Sequence, residues 1–151
     1  MAARRKRTLD AVAAEMRGLL SDKTVVSAAS MSAPEHIFAL CHDMTTEQQE
    51  CLVLLTLDAR IALIRRVLVA KGGLASCPAH PRDVFREALK DNAHSVVLVH
   101  CHPSGDPEPS GDDLALTRRM TKAGVLIGIP LVDHIIVGRN GYVSLSARGV
   151  L

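Results

Sequence analysis

His100-Cys101-His102-Pro103-Ser104-Gly105-Asp106-Pro107-Glu108-Pro109-Ser110-Gly111-Asp112-Asp113 follows directly on the apolar run Ser95-Val96-Val97-Leu98-Val99. The run reads as a strand, and imidazoles at i and i+2 of a strand lie on one face. Both can reach a single metal ion. The proline- and glycine-rich segment Pro103 to Pro109 then turns the chain, and Ser110 opens a helix whose Asp113 can bring a carboxylate to the same point. Two His and one carboxylate, with a fourth position left for water, is the donor set of a hydrolytic zinc centre. The C-terminal end of a sheet strand is also where α/β proteins place their ligands.

Ser110 and Asp113 admit a second reading. Ser-x-x-Asp at a helix start resembles a capping box, and a carboxylate there suits the helix dipole. Capping and ligation are compatible, because a helix start held against a strand end can present its Asp to both imidazoles. Hydrolysis by a metal-activated water also needs a general base. Glu50, immediately before the apolar run Cys51–Leu57, is one source, and Glu47 lies three residues earlier. Spacing alone does not separate these from ordinary exposed residues ahead of a strand.

Working outward, Cys51–Leu57 predicts a strand covered on both faces, and Ile61 to Val69 a returning strand, with Arg65 and Arg66 against it. Gly72-Gly73 marks a turn. Pro81 starts a helix carrying Val84, Phe85, Ala88 and Leu89 on one stripe. The helix after Ser110 is predicted over Gly111–Ala123, with Gly124 ending it. Leu131–Val137 is a further strand, Asn140-Gly141 a tight turn, and Tyr142–Leu145 the strand returning from it. Toward the N-terminus, Ser32-Ala33-Pro34-Glu35 has a capping-box pattern opening a short helix through Ile37 and Leu40. Thr8 caps an earlier helix carrying Leu9, Val12, Met16, Leu19 and Leu20, which ends at Ser21–Thr24. The order is that of an α/β fold, a mixed β-sheet sandwiched by helices in two or three layers. Residues 1–31 form a basic segment and helix, and residues 32–151 the metal-binding domain.

The bulk composition narrows the classes. A chain of 151 residues, 48% hydrophobic and 23% charged, can bury one real core. Phe38, Phe85 and Tyr142 are its only aromatics, so the core is aliphatic and the stacking platforms of single-strand or RNA binders are missing. A net charge of +2 does not call for a polyanion. Arg4-Arg5-Lys6-Arg7 is either a solvated terminus or a weak electrostatic arm for nucleic acid or an acidic partner. Cys41, Cys51, Cys77 and Cys101 contain no C-x-x-C pair, which argues against a thiolate zinc site or a thioredoxin-like motif. A reducing cytoplasm fits them, and with no secretory h-region and no membrane-crossing run the expected location is cytoplasmic.

Glu50 before an apolar strand, then His100-x-His102, seven residues and Ser110-x-x-Asp113, resembles the JAMM (MPN-plus) metalloprotease motif. The fuller string His-x-His-Pro-Ser-Gly-Asp-Pro-x-Pro-Ser resembles the RadC branch of that superfamily. So do Gly128-Ile129-Pro130-Leu131-Val132-Asp133-His134-Ile135-Ile136-Val137-Gly138, the helix His80 to Leu89, and the closing Arg148-Gly149-Val150-Leu151. The resemblance covers roughly residues 45–151, with a weaker extension to residue 32. It implies an MPN/JAB (cytidine-deaminase-like) architecture, with His100, His102 and Asp113 as Zn2+ ligands. It further implies Glu50 as general acid/base and Ser110 as hydrogen-bond donor to the oxyanion. Two departures stand out. Cys101 occupies a position that is usually Asn, and strand alternation turns it away from the metal toward packing. The helix-hairpin-helix segment of longer relatives has no signature in the first forty residues. His134, in the Asp133-His134 pair, reads as a structural or supporting hydrogen-bonding residue rather than a ligand.

Three functions follow. The first is a zinc-dependent hydrolase cleaving an amide or isopeptide-like bond in a protein or peptide substrate. The second is a nucleic-acid-associated accessory protein, of DNA-repair or mobile-element type, that binds rather than cuts. The third is an interaction scaffold with an idle metal site. No membrane partner is expected, and a homodimer stays open.

Overall fold

A computed structural model describes residues 30–72 and 79–151. The expected helix of the first twenty residues, the Arg4–Arg7 segment, Gly73 and Cys77 lie outside the described residues. The elements run α1 (Pro34–Leu40), a 3-10 turn (His42–Thr46), β1 (Cys51–Leu57), β2 (Leu63–Lys71), α2 (Pro81–Lys90), β3 (Ser95–Cys101), α3 (Gly111–Ile127), β4 (Leu131–Gly138) and β5 (Gly141–Ser144). The five strands form one sheet in the order β2-β1-β3-β4-β5. Among the described strands only β3 and β4 pair in parallel. A parallel pair needs a crossover long enough to return the chain to the same edge, and α3 supplies it.

The central strands have two distinct faces, and each is covered. Leu52 and Leu54 of β1 and Val96 and Leu98 of β3 pack under Val84, Phe85 and Ala88 of α2 and Leu116 and Met120 of α3. The alternate residues Val53, Leu55, Leu57, Val97, Val99 and Cys101 pack with Ile37 and Leu40 of α1 and with Met44. The sheet is therefore the middle of three layers. This two-sided burial is why β1 and β3 read as unbroken apolar runs rather than alternating ones. Among the described residues no helix is long and apolar enough to cross a membrane.

Several local expectations shift. β2 begins at Leu63 and runs through both arginines. It is an edge strand, so its charges reach out to acidic neighbours. Arg65 meets Asp91 and Glu87 at 2.9 Å each, and Arg66 meets Asp43 at 2.7 Å. Ile61 lies in the turn before the strand, with φ +62°. The turn is tied by the Asp58 carboxylate, which accepts from the N–H groups of Arg60 and Ala62. Ser32 does not cap α1. The cap residue is Ala33, without a side-chain bond, and Pro34 alone supplies the helix-start signal.

The largest correction concerns α3, which passes through Gly124 and ends at Ile127, with Gly128 in the left-handed conformation at φ +82°. Gly124 is there for contact rather than termination. A Cβ on it would sit 2.6 Å from the carbonyl oxygen of Ile129 and 3.3 Å from the Phe85 ring. Alanine in a helix interior normally gains about 1 kcal/mol over glycine. Here the collision is with backbone, so Gly124→Ala is expected to reverse that sign and destabilise by about 1–3 kcal/mol in urea unfolding.

Candidate metal centre

The pairing of β1 with β3 assembles the site. Leu52 lies opposite His100 in the antiparallel register. Glu50, two residues before Leu52, is thereby carried to the position across from His102. Opposed residues on antiparallel strands project to the same face, so Glu50, His100 and His102 share the side covered by α2 and α3. One donor atom from each of these three lies within 4.8 Å of the others. Asp113, in the first turn of α3, lies against both imidazoles. Its Oδ1 is 2.8 Å from His100 Nδ1 and its Oδ2 is 3.1 Å from His102 Nε2. Glu50 Oε2 stands 3.7 Å from His100 Nε2. The side chains of Asp113 and His100 are 4% and 6% exposed, those of His102 and Glu50 13% and 16%. Solvent therefore reaches the cluster from the Glu50–His102 side. The three residues whose donor atoms could share one ion are thus Glu50, His100 and His102, whereas Asp113, expected as a ligand, lies against each imidazole separately.

Each side chain is held by its own partners. His102 Nδ1 lies 2.9 Å from the Asp106 carbonyl oxygen. A carbonyl has no proton to give, so Nδ1–H donates and the neutral ring turns a bare Nε2 toward Asp113. A backbone carbonyl that accepts the other ring N–H in this way is a usual partner of a metal-binding histidine. The loop supplying that carbonyl is anchored on β4 by the His102 N–H, which donates to Val137 O at 2.9 Å. Its Gly105 (φ +91°) lies against Gly138, where a Cβ would come within 2.3 Å of Gly105 O. Arg148 pairs with Glu108 and ties the C-terminal turn to the same loop.

Ser110 and Asp113 form a true capping box. The Asp113 N–H donates to Ser110 Oγ at 3.1 Å, while the Ser110 N–H and hydroxyl donate to Asp113 Oδ2 at 2.7 and 2.9 Å. The hydroxyl's single proton is thus directed at Asp113. Donation to a substrate oxygen would require it to rotate away.

The electrostatics call for positive charge between these groups. Among the described residues both ring nitrogens of His100 are buried without a hydrogen-bond partner, although Nδ1 stands 2.8 Å from a carboxylate oxygen. Close approach without hydrogen-bond alignment is what ligands of a shared cation adopt, and it is costly when nothing bridges the lone pairs. At Asp113, burial pushes the carboxyl pKa up, but the adjacent His100 and His102 outweigh it and hold the group well below the usual carboxylate range. The same Asp113 bond, working against burial, raises His102. A set of two imidazoles and carboxylates fits a divalent metal ion.

His134 on β4 lies opposite Leu98 in the parallel register, two residues before His100. Its ring runs nearly parallel to that of His100, at 18° and 6.2 Å between centroids, and burial drives its pKa down to about 3. Its Nδ1 is 2.7 Å from Thr117 Oγ1. Thr117 was not anticipated from sequence, although its i+4 spacing from Asp113 places it above that residue on the helix. Cys101 packs on the opposite sheet face, where burial pushes its thiol up to about 12. It has no reach into the site.

A three-layer α/β fold with this cluster at the ends of its central strands defines a JAB/MPN-type domain. A family profile described as the RadC-like JAB domain matches residues 31–150, and the chain belongs to that family. It is 43% identical over 121 residues to a "UPF0758 protein" of Syntrophotalea carbinolica, covering 80% of this chain and 53% of the relative. Similar proteins of the same printed name occur in Clostridium perfringens (43% over 122 residues; 80% and 54%) and Methanosarcina mazei (39% over 120 residues; 79% and 52%). The chain spans about half the length of the curated relatives it matches.

Ser110→Ala removes the cap acceptor and one of the donors to Asp113 together. A stability loss of about 1 kcal/mol is expected by urea titration of the metal-free protein, with Ser110→Thr recovering most of it.

Proposed function

We propose that the domain is a zinc-dependent hydrolase of JAMM type that cleaves an amide or isopeptide-like bond in a protein or peptide substrate. The observation supporting this most directly is the grouping of Glu50, His100 and His102 with Asp113 at 2.8 and 3.1 Å from the two imidazoles, both His100 ring nitrogens lacking a hydrogen-bond partner among the described residues. His100, His102 and Asp113 would hold the ion. Zinc bound there supplies a Lewis acid and lowers the pKa of a coordinated water to about 7.

The remaining work belongs to the protein. Glu50, at 3.7 Å from His100 and 16% exposed, is the partly solvated carboxylate of the cluster, suited to accept a proton from water and return it to the leaving amine. Asp113 accepts two donors on Oδ2, both from Ser110, and this oxygen lies 3.1 Å from His102 Nε2. Its Oδ1 faces His100. Ser110 holds the carboxylate at rest, and its hydroxyl proton is available to a substrate oxyanion once it rotates from Asp113. The Asp106 carbonyl keeps the His102 ring from turning.

Two measurements separate the roles. Zinc at 100 times its dissociation constant should stabilise the wild-type protein by about 2.7 kcal/mol, read as a rise in Tm that EDTA reverses, and Asp113→Ala should show none of it. Wild-type protein that takes up no more zinc than Asp113→Ala, by mass spectrometry, would remove the metal-centre reading. Glu50→Gln should keep the zinc-dependent rise in Tm while lowering turnover of a peptide- or isopeptide-linked fluorogenic amide by about 10²–10⁴-fold. Unchanged turnover would take the general-base role away from Glu50.

A further inference from the structure

Asp113 is gripped from its backbone side as well as through its carboxylate. The Thr117 hydroxyl lies 2.6 Å from the Asp113 carbonyl oxygen and 2.7 Å from His134 Nδ1. A hydroxyl has one proton. The carbonyl can only accept it, so the other contact must run the opposite way, with His134 Nδ1–H donating to Thr117. The direction of the chain is therefore settled: His134 to Thr117 to the main chain of Asp113. Thr117 and His134 are fully buried, and Asp113 is 3% exposed. A threonine bonding back to the carbonyl four residues earlier is a common local habit of helices. Here it has a second partner on a different element. Leu98 and His134 are paired in register, so the relay starts on the strand beside β3 and ends on the residue that faces His100 and His102. Aliphatic side chains would fill the same space without burying polar atoms. What the hydroxyl and imidazole add is direction.

We propose that His134 and Thr117 are positioning residues of the metal centre. Their relay fixes the first turn of α3 against β4, and so sets the distance at which the Asp113 carboxylate meets the two imidazoles. This rests on the metal-binding reading given above. It assigns neither residue a ligand role and requires the Nδ1–H tautomer of His134.

The test uses the full chain, with zinc affinity measured by competition against a chromophoric chelator. Thr117→Val keeps shape but loses the hydroxyl, and His134→Phe keeps a ring but loses the donor. Each should weaken zinc binding by about 10–100-fold, the usual effect of removing an outer-shell partner. The double variant should be no weaker than either single one, because both break one chain. Thr117→Ser, and His134→Asn with its amide at the Nδ1 position, should stay within about threefold of wild type. The visible spectrum of the Co2+-loaded protein should change in Thr117→Val and return in Thr117→Ser, which a general loss of packing would not produce. If wild type binds zinc and Thr117→Val and His134→Phe bind it equally well, the relay has no positioning role. If wild type itself binds no zinc, the metal-centre reading falls and takes the relay with it. Should the two variants fail to fold, imidazole 15N shifts of the wild-type protein decide. A protonated Nδ1 and bare Nε2 at His134 support the relay, and the opposite tautomer overturns it.

Discussion

One buried carboxylate couples the secondary structure of this domain to its chemistry. Asp113 is the N3 residue of a capping box, the acceptor of two donors on one oxygen, and the neighbour of two imidazoles on a different element. A carboxylate this deeply buried is unfavourable unless positive charge or several donors compensate it. Ser110 and the helix start supply the donors, and the imidazoles supply the remainder only when protonated or when they share a cation with it. Folding thus creates a demand for charge at the strand end. A metal-free chain can meet it by protonating His102, which is the direction in which its pKa moves.

The precision of the cluster comes from its placement on regular elements. Glu50 immediately precedes β1, His100 is inside β3, His102 is one residue past it, and Asp113 is in the first turn of a 17-residue helix. Strand register sets Glu50 against the histidines, and the core under Leu116 and Met120 sets the helix. Sites supported on such elements hold their geometry better than sites on free loops. The one irregular contributor, the Pro103–Pro109 loop, is pressed onto β4 so closely that only glycine fits at position 138.

Much of this was legible in the sequence for a specific reason. The i, i+2 spacing of His100 and His102 after an apolar run carries strand geometry within it, and Ser110-x-x-Asp113 carries a helix start. Both are local, and both appear as read. Glu50 was different. Spacing does not separate it from an ordinary exposed residue ahead of a strand, because what places it beside the histidines is the antiparallel register of Leu52 with His100. Glu47 instead pairs with Lys71 at the surface. The same limit explains Gly124, whose neighbours are a carbonyl and a ring from other elements. Arg65 and Arg66 argued against a strand only because nothing local shows that β2 is at an edge with Asp91, Glu87 and Asp43 within reach.

Cys101 illustrates how the sheet separates chemistry from packing. It stands between two histidines in sequence, yet pleating sends it to the face lined by Val97, Val99 and Val137. There its sulfur accepts the Cys51 N–H at 3.1 Å and lies 3.4 Å from the Gln49 carbonyl oxygen. A thiol held neutral among aliphatic side chains contributes volume and a weak hydrogen bond. Its constraint is the shape of the α1 layer, while that of its two neighbours is the position of Asp113. Adjacent residues are therefore constrained by opposite sides of the molecule, and a substitution at residue 101 acts on the histidine face only through the backbone the three residues share.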